Sequence, residues 1–509
     1  MNAHDFQTSL ESIVARCMFG FDAAMFAEDT EAFQLANLNP LGYIFFRHHF
    51  DECTSLDDLE SLLDRVKARH PHPLFLGLDQ EGGQVERLPS HLFHGGISPF
   101  TVGEVERLTP ETELAKRYYD WQSKGLASLG FNLNFFPTLD AHLNPQNPII
   151  GNRAFSSDPT EIKRLGRLAI DAQSTYGIQS VLKHYPGHGN GTVDSHLALP
   201  TLTFSEAEES SFVDLMQVSP TTWLMLAHGV YPRLQGTQTN LPASCDKGIV
   251  TERLRQHWGF KGITITDDLN MQGLLDAFHG DQIQASLTAL NAGVDVLLFR
   301  EAGKRELEIV EALAHALVDG RLDLDLHEAS LARLAEARTV LSSPLQQPDV
   351  STLESIWHQT IEALHETTVN AIFADAKGVL NLENTLVIEP LASLLPHYAM
   401  EYEKGSLTQR FLPEGATVYA YDETDMSALS NALNTHHGDV LTVVWLPHIG
   451  KSLLDALNLR QASRETASSQ TVVLNIGTPV EGVYTSFKFI NLGTARPPTI
   501  QKALARLFA

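Results

Sequence analysis

The chain has 509 residues, with 62 Asp and Glu against 36 Lys and Arg, a formal net charge of −26. That length exceeds one ordinary domain, 43% hydrophobic and 19% charged residues exclude a disordered chain, and the acidic balance excludes broad electrostatic binding to nucleic acid or an anionic membrane. No apolar run approaches the ~18 residues of a membrane span, no secretory signal is visible, and Cys17, Cys53 and Cys245 make neither a disulfide framework nor a CxxC metal site, so a cytoplasmic enzyme or binding protein is expected.

In chain order, short apolar runs bounded by polar or Gly/Pro signals predict eight strands: Met18–Asp22, Leu41–Phe46, Leu74–Asp79, Phe131–Pro137, Gln179–His184, Trp223–Ala227, Gly262–Thr266 and Val294–Phe299. Helical patterns lie between them, as at Leu56–Arg69, Glu111–Leu129, Asp158–Tyr176 and Ile283–Ala292. Strands nearly continuous in apolar residues suit burial on both faces of a parallel sheet. Eight of them alternating with helices predict an α/β fold, a (β/α)8 TIM-type barrel. An open doubly wound sheet would more often carry a Gly-rich phosphate turn after its first strand, and none is there. Helical patterning over Arg321–Val340 stops at the Pro-containing stretch from Ser342 to Asp349, which reads as a boundary. The barrel is therefore expected in residues 1–345 and a smaller C-terminal α/β domain in 346–509. That second unit opens with an amphipathic helix, Leu353–Phe373. Five strands follow, at Thr385–Glu389, Thr417–Tyr421, Val440–Leu446, Thr471–Ile476 and Phe487–Leu492, with helices at Met426–Thr435 and Ile500–Leu507.

Catalytic groups of such a barrel come from the C-terminal ends of its strands. Strand three is followed by Asp79-Gln-Glu-Gly-Gly-Gln-Val-Glu-Arg87, and strand four leads through Pro137-Thr-Leu-Asp140 to Ile150-Gly-Asn-Arg153. Strand five runs into Lys183-His-Tyr-Pro-Gly-His-Gly and then Asn190-Gly-Thr-Val-Asp194-Ser-His196. Strand six ends in Ala227-His228-Gly, and strand seven in Thr266-Asp267-Asp268-Leu-Asn-Met271. Each cluster alone has a plain structural reading: Asp267 and Asp268 as helix N-caps, His228 as a core histidine, Gly82-Gly83 as a turn. Five clusters at five consecutive strand ends are not what independent accidents produce. They point to an active-site face.

The segments KHYPGHGNGTVDSH (Lys183–His196), LDQEGGQVERLP (Leu78–Pro89), IGNRAF (Ile150–Phe155) and ITDDLNM (Ile265–Met271) closely resemble motifs of the family-three glycoside hydrolases. The nearest likeness is to their bacterial β-N-acetylglucosaminidases, over roughly residues 15–300. Beyond about 350 the chain only looks like the C-terminal α/β domain that many members carry. The resemblance implies a retaining exo-β-N-acetylglucosaminidase in which Asp267 is the nucleophile and His196, held by Asp194, is the acid/base. Retaining hydrolysis normally uses two carboxyl groups ~5–5.5 Å apart; an imidazole, which titrates near neutrality, stands in for one of them here. Asp268 is expected to point elsewhere and cap the next helix.

The resemblance also implies sugar contacts from Asp79, Arg87, Arg153, Lys183 and His184, and a substrate among the N-acetylglucosaminyl-anhydromuropeptides of cell-wall recycling. It implies no cofactor, no metal, no nucleic acid and no membrane partner. Two departures stand out: Gln84 where the family usually has Arg, and Asn190-Gly191 after Pro-Gly-His-Gly. The glycine-containing stretch Gly189-Asn-Gly-Thr-Val is expected to move and to close over the sugar. A β-glucosidase or a phosphorylase of the same family is the alternative. Further off is a metal-dependent barrel hydrolase using His184, His188, His196, His228, Asp194 and Asp267, although Pro186-Gly187 removes the regular helix that would align His184 with His188.

Overall fold

The computed structural model describes residues 3–341 apart from 94–95, 196, 220–221 and 236–240. Beyond these it describes 350–373, 380, 385–390, 417–421, 429, 432–433, 435–436, 439–444, 457, 471–475, 488–491 and 497–508. Eight parallel strands close into a barrel: β1 (Cys17–Gly20), β2 (Gly42–Phe45), β3 (Phe75–Leu78), β4 (Leu133–Asn134), β5 (Gln179–Tyr185), β6 (Trp223–Leu226), β7 (Ile263–Asp268) and β8 (Val296–Phe299). Each pairs with the next, and β8 returns to β1 with Leu298 opposite Met18. All eight expected strands are present.

They read as unbroken apolar runs because both faces are buried. Side chains alternate along each strand. Met18, Ile44, Phe75, Val181, Trp223, Ile265 and Leu298 fill the barrel interior as one cluster. Their neighbours Phe19, Tyr43, Leu76, Leu182, Leu224 and Phe299 belong to the larger cluster shared with the surrounding helices.

The Leu324–Leu341 helix lies across the N-terminal end of the barrel. It adds Leu334 and Ala337 to the interior cluster, and Arg338 donates to the carbonyl of Pro40, just ahead of β2, at 3.2 Å. Asp295, at the start of β8, is its polar anchor: the carboxylate accepts from Arg333 at 2.6 Å, Arg255 at 2.5 Å, Ser330 at 2.8 Å and the Thr264 N–H at 2.8 Å. Burial alone would raise this carboxyl, but the two guanidinium groups hold it below its ordinary value. The bottom of the barrel is stoppered, and the open face is the one where the strands end.

The second sheet has five parallel strands: β9 (Thr385–Pro390), β10 (Thr417–Tyr421), β11 (Asp439–Val444), β12 (Thr471–Asn475) and β13 (Lys488–Asn491), in the order β10-β9-β11-β12-β13. These are the five expected. Most of the expected Met426–Thr435 helix lies outside the described residues. The Val350–Ile372 helix packs on the barrel helices Pro99–Leu108 and Leu114–Leu129, and also on the C-terminal helix Pro497–Phe508. Its Ile361 and Leu364 join the barrel's outer core.

Candidate active site

β3 delivers Asp79 and then turns at Gly82, whose φ is +103°. A Cβ there would stand 2.2 Å from the Ile97 carbonyl oxygen, so only glycine fits. The turn aims Glu81 inward and brings the chain back so that Arg87 reaches Asp79 at 3.2 Å. Lys183, on β5, places its Nζ 2.7 Å from Asp79 and 2.5 Å from Glu81. Arg153, from the loop after β4, forks onto both oxygens of Glu81 at 2.9 and 2.8 Å, a charge-assisted bidentate pair. Its Nη2 also lies 3.5 Å from His184 Nε2. The other ring nitrogen of His184 is 2.6 Å from Asp140, which further accepts the N–H groups of His184 at 3.1 Å and His188 at 2.7 Å.

Arg87, Asp79, Lys183, Glu81, Arg153, His184 and Asp140 thus form one chain of alternating charge and hydrogen bonds across the mouth. Burial opposes ionisation of its carboxyls. Lys183 and Arg87 nevertheless drive Asp79 well below the usual range, Arg153 and Lys183 lower Glu81, and the neighbouring His184 and His188 lower Asp140. Arg153 is raised above its ordinary value: burial works against its charge, and Glu81 outweighs it. Asp79, Arg87, Arg153, Lys183 and His184, the five residues expected to contact a sugar, meet here. Glu81 and Asp140, which join them, were given no role from the sequence. Glu81 sits inside a quoted motif and Asp140 at the end of strand four, but their partners are 72 and 44 residues away.

Asp267 is half-buried at the end of β7 and accepts the N–H of Asp268 at 2.8 Å. Asp268 does not cap a helix. The next helix begins at Gln272 with Met271 at its cap position, while Asp268 accepts the N–H groups of Asn270 at 3.0 Å and Arg300 at 3.1 Å. The reason is a register shift between β7 and β8 at this residue, which lays its carboxyl over the end of β8. Burial pushes it up to about 6.

His228, just past β6, lies 2.8 Å from Ser244 through Nδ1, and burial chiefly lowers it below its ordinary value. Among the described residues its Nε2, both ring nitrogens of His188, the Nε of Arg87 and the Nε2 of Gln80 are buried without a hydrogen-bond partner. Burial lowers His188 to about 4, so its imidazole is neutral. Buried polar atoms are ordinarily satisfied. A set of them around one mouth fits a ligand rich in hydroxyl groups.

The loop after β5 differs from expectation at its base. Asn147 donates to the carbonyls of His188 and Gly189 at 2.8 and 3.1 Å, and Asn144 to that of Gly191 at 3.0 Å. Residues 188–191 are therefore tied down. Gly189 serves close approach, since a Cβ there would be 2.0 Å from the Ala141 carbonyl oxygen. Asp194 follows, half-buried, its carbonyl accepting the N–H groups of Leu197 and Ala198, and Ser195 accepts the N–H of Gly273 just past β7 at 3.2 Å. His196 lies outside the described residues.

Residues 21–337 match the glycosyl hydrolase family 3 N-terminal domain. The chain is 32% identical over 403 residues to beta-hexosaminidase A of Pseudoalteromonas piscicida, covering 72% of this chain but 66% of that protein, just short of two thirds of its length. It is 31% identical over 295 residues to the beta-hexosaminidase of Idiomarina loihiensis, covering 56% of this chain and 83% of that one. It superposes with a TM-score of 0.78 on a glycoside hydrolase family 3 beta-N-acetylglucosaminidase from Paenibacillus sp. str. FPU-7, over 98% of this chain and 96% of that one. At 21% identity the latter is a likeness of fold.

Proposed function

The chain belongs to glycosyl hydrolase family 3, and on that premise we propose that it is a retaining exo-β-N-acetylglucosaminidase. The observation that carries this reading is the line of alternating charge from Arg87 to Asp140 at the strand ends, with Asp267 near enough to act on His188, whose N–H Asp140 accepts. Charged donors and acceptors hold vicinal hydroxyls more strongly than neutral ones do. Asp79, Arg87, Arg153, Lys183 and His184 bind the sugar ring. Asp267 attacks the anomeric carbon, so the bond to the leaving oxygen breaks as the Asp267 ester forms. His196 gives its proton to the leaving oxygen. It then takes one from the water that hydrolyses the ester, and Asp194 holds the imidazole in the required tautomer. The net change is one water added across the glycosidic bond.

The names of the two relatives favour a hexosaminide over a glucoside. The substrate class is N-acetylglucosaminyl-anhydromuropeptides from cell-wall turnover in the cytoplasm, a compartment compatible with three buried, unpaired thiols.

An activated fluorinated N-acetylglucosamine analogue tests the reading. The expected result is a covalent adduct on the peptide carrying Asp267; an adduct on another side chain, or none while product accumulates, overturns it. His196→Ala should lower turnover of unactivated glycosides by about 10²–10⁴-fold and spare the first step on aryl glycosides with good leaving groups. Parallel assays with aryl glucoside, and with added phosphate, separate the glucosidase and phosphorylase alternatives.

A further inference from the structure

Glu208 is a buried carboxyl that no catalytic step uses. It stands in the first turn of the Glu206–Met216 helix, where the Ser205 hydroxyl accepts its N–H. At a helix start, Ser-x-x-Glu ordinarily sends the carboxylate back to the cap residue's own N–H. Here the side chain turns inward and is 1% exposed. One oxygen, Oε1, accepts the N–H of Ala141 and the N–H of Gly189, both at 2.9 Å.

Ala141 lies in the loop after β4, next to Asp140. Gly189 lies in the loop after β5, between His188 and Asp194. The backbone wraps closely: a Cβ at Gly187, whose φ is +128°, would stand 2.5 Å from the Glu208 carboxyl. Tyr231 holds the same turn by donating to the Gly187 carbonyl at 2.8 Å. Between them the two loops carry Asp140, Arg153, Asp194 and His196, and His184 lies at the end of β5 just before the second.

We propose that Glu208 is a positioning residue, whose carboxyl clasps the loop after β4 to the loop after β5 and so fixes the Asp140–His184 pair relative to the segment bearing Asp194 and His196. The inference rests on the reading of the site given above for its kinetic consequence, although the clasp itself does not. The groups facing this carboxyl are Asp140 and the Tyr231 phenol, and His184 and His188 act in turn on Asp140. Burial, and then the charge of Asp140, push Glu208 up to about 8. In its neutral form it accepts both N–H groups without setting a second negative charge beside Asp140. The folded chain thus keeps a proton that the unfolded chain gives up near the ordinary carboxyl value. The resulting stability is full below that value and is lost as pH rises through about 8.

Wild type, Glu208→Gln and Glu208→Ala are compared. Glutamine keeps an acceptor of the same reach and cannot ionise. Glu208→Gln should retain kcat/KM near wild type at neutral pH on an aryl N-acetylglucosaminide. Its Tm should rise relative to wild type as pH goes from about 5 to 9. Glu208→Ala should lose about 10–100-fold in kcat with KM little changed, and amide exchange at residues 187–191 should quicken. Equal losses in both variants at every pH, a Tm difference between Glu208→Gln and wild type that ignores pH, or unchanged exchange in Glu208→Ala would overturn the proposal. Should Glu208→Ala not fold, the melting comparison of Glu208→Gln with wild type decides alone. If wild type releases no aglycone from the aryl N-acetylglucosaminide, the proposed activity falls, while melting and exchange still decide the clasp.

Discussion

Glu81 is fully buried and holds two cations at once, Arg153 through both oxygens and Lys183 through one. Removing its charge takes from Arg153 its bidentate partner and leaves Lys183 to Asp79, and breaking such a buried pair ordinarily costs about 3–5 kcal/mol. Glu81→Gln is therefore expected to destabilise the protein by roughly 3 kcal/mol in urea melts at neutral pH and to raise KM, because Arg153 and Lys183 lose their fixed geometry. The pH dependence follows from the direction of its shift. A carboxyl held below its ordinary value contributes stability above that value and loses it as pH falls through the lowered one. The gap between wild type and Glu81→Gln should accordingly close in acid. An exposed pair such as Arg107–Glu104, probed by Arg107→Ala, should change stability by no more than about 0.5 kcal/mol. At this scale the sequence motifs were informative about which side chains gather and silent about what holds them. Asp79, Arg87, Arg153, Lys183 and His184 all lie in recognisable segments. The bonds from Glu81 to Arg153 and from Asp140 to His184 join segments far apart in the chain, and no local pattern displays such a pairing.

The strands were legible as elements because a parallel barrel buries both of their faces, leaving apolar runs with few interruptions. Their ends were less so. β4 is two residues long, and a side chain extends its pairing with β3: Asn134 exchanges hydrogen bonds with the backbone of Gln80 at 3.0 and 3.1 Å. Asp268 escaped in the same way, since a register shift between neighbouring strands leaves no mark on hydropathy. The Leu324–Leu341 helix shows one end of a barrel given over to stability. Its Arg333 belongs to the Asp295 cluster at the N-terminal face, remote from the site. Arg333→Ala leaves the Asp295 carboxylate ion-paired to Arg255, with Arg16 nearby on the Asp295 carbonyl at 3.0 Å. The expected outcome is a loss of about 2–3 kcal/mol in unfolding free energy with kcat and KM unaltered; a kinetic change of similar weight would show that the two faces are coupled.

At the scale of the whole molecule, the family match ends at residue 337, but the barrel's hydrophobic core does not. Ile361 and Leu364 are completely buried in it, although they lie on the helix that leads to the second sheet. Lys502 on the C-terminal helix reaches Glu362 on that same helix at 2.9 Å. Leu364→Ala should cost about 2–5 kcal/mol, as large-to-small core substitutions do, and chemical denaturation followed by barrel tryptophan fluorescence would report it; a loss under about 1 kcal/mol would mean the helix rides on the surface. Chain length and the Pro-containing boundary foretold two units, and five apolar runs foretold the second sheet, but how one unit supports the other is written in tertiary contacts alone. The stopper at the barrel floor has a consequence for traffic. With Leu334 and Ala337 joining the side chains that fill the interior, nothing can pass through the barrel from floor to mouth, and the face at the strand ends is the one way in and out. On the proposed reading, a glycoside would therefore arrive, and both halves of it leave, through that single doorway.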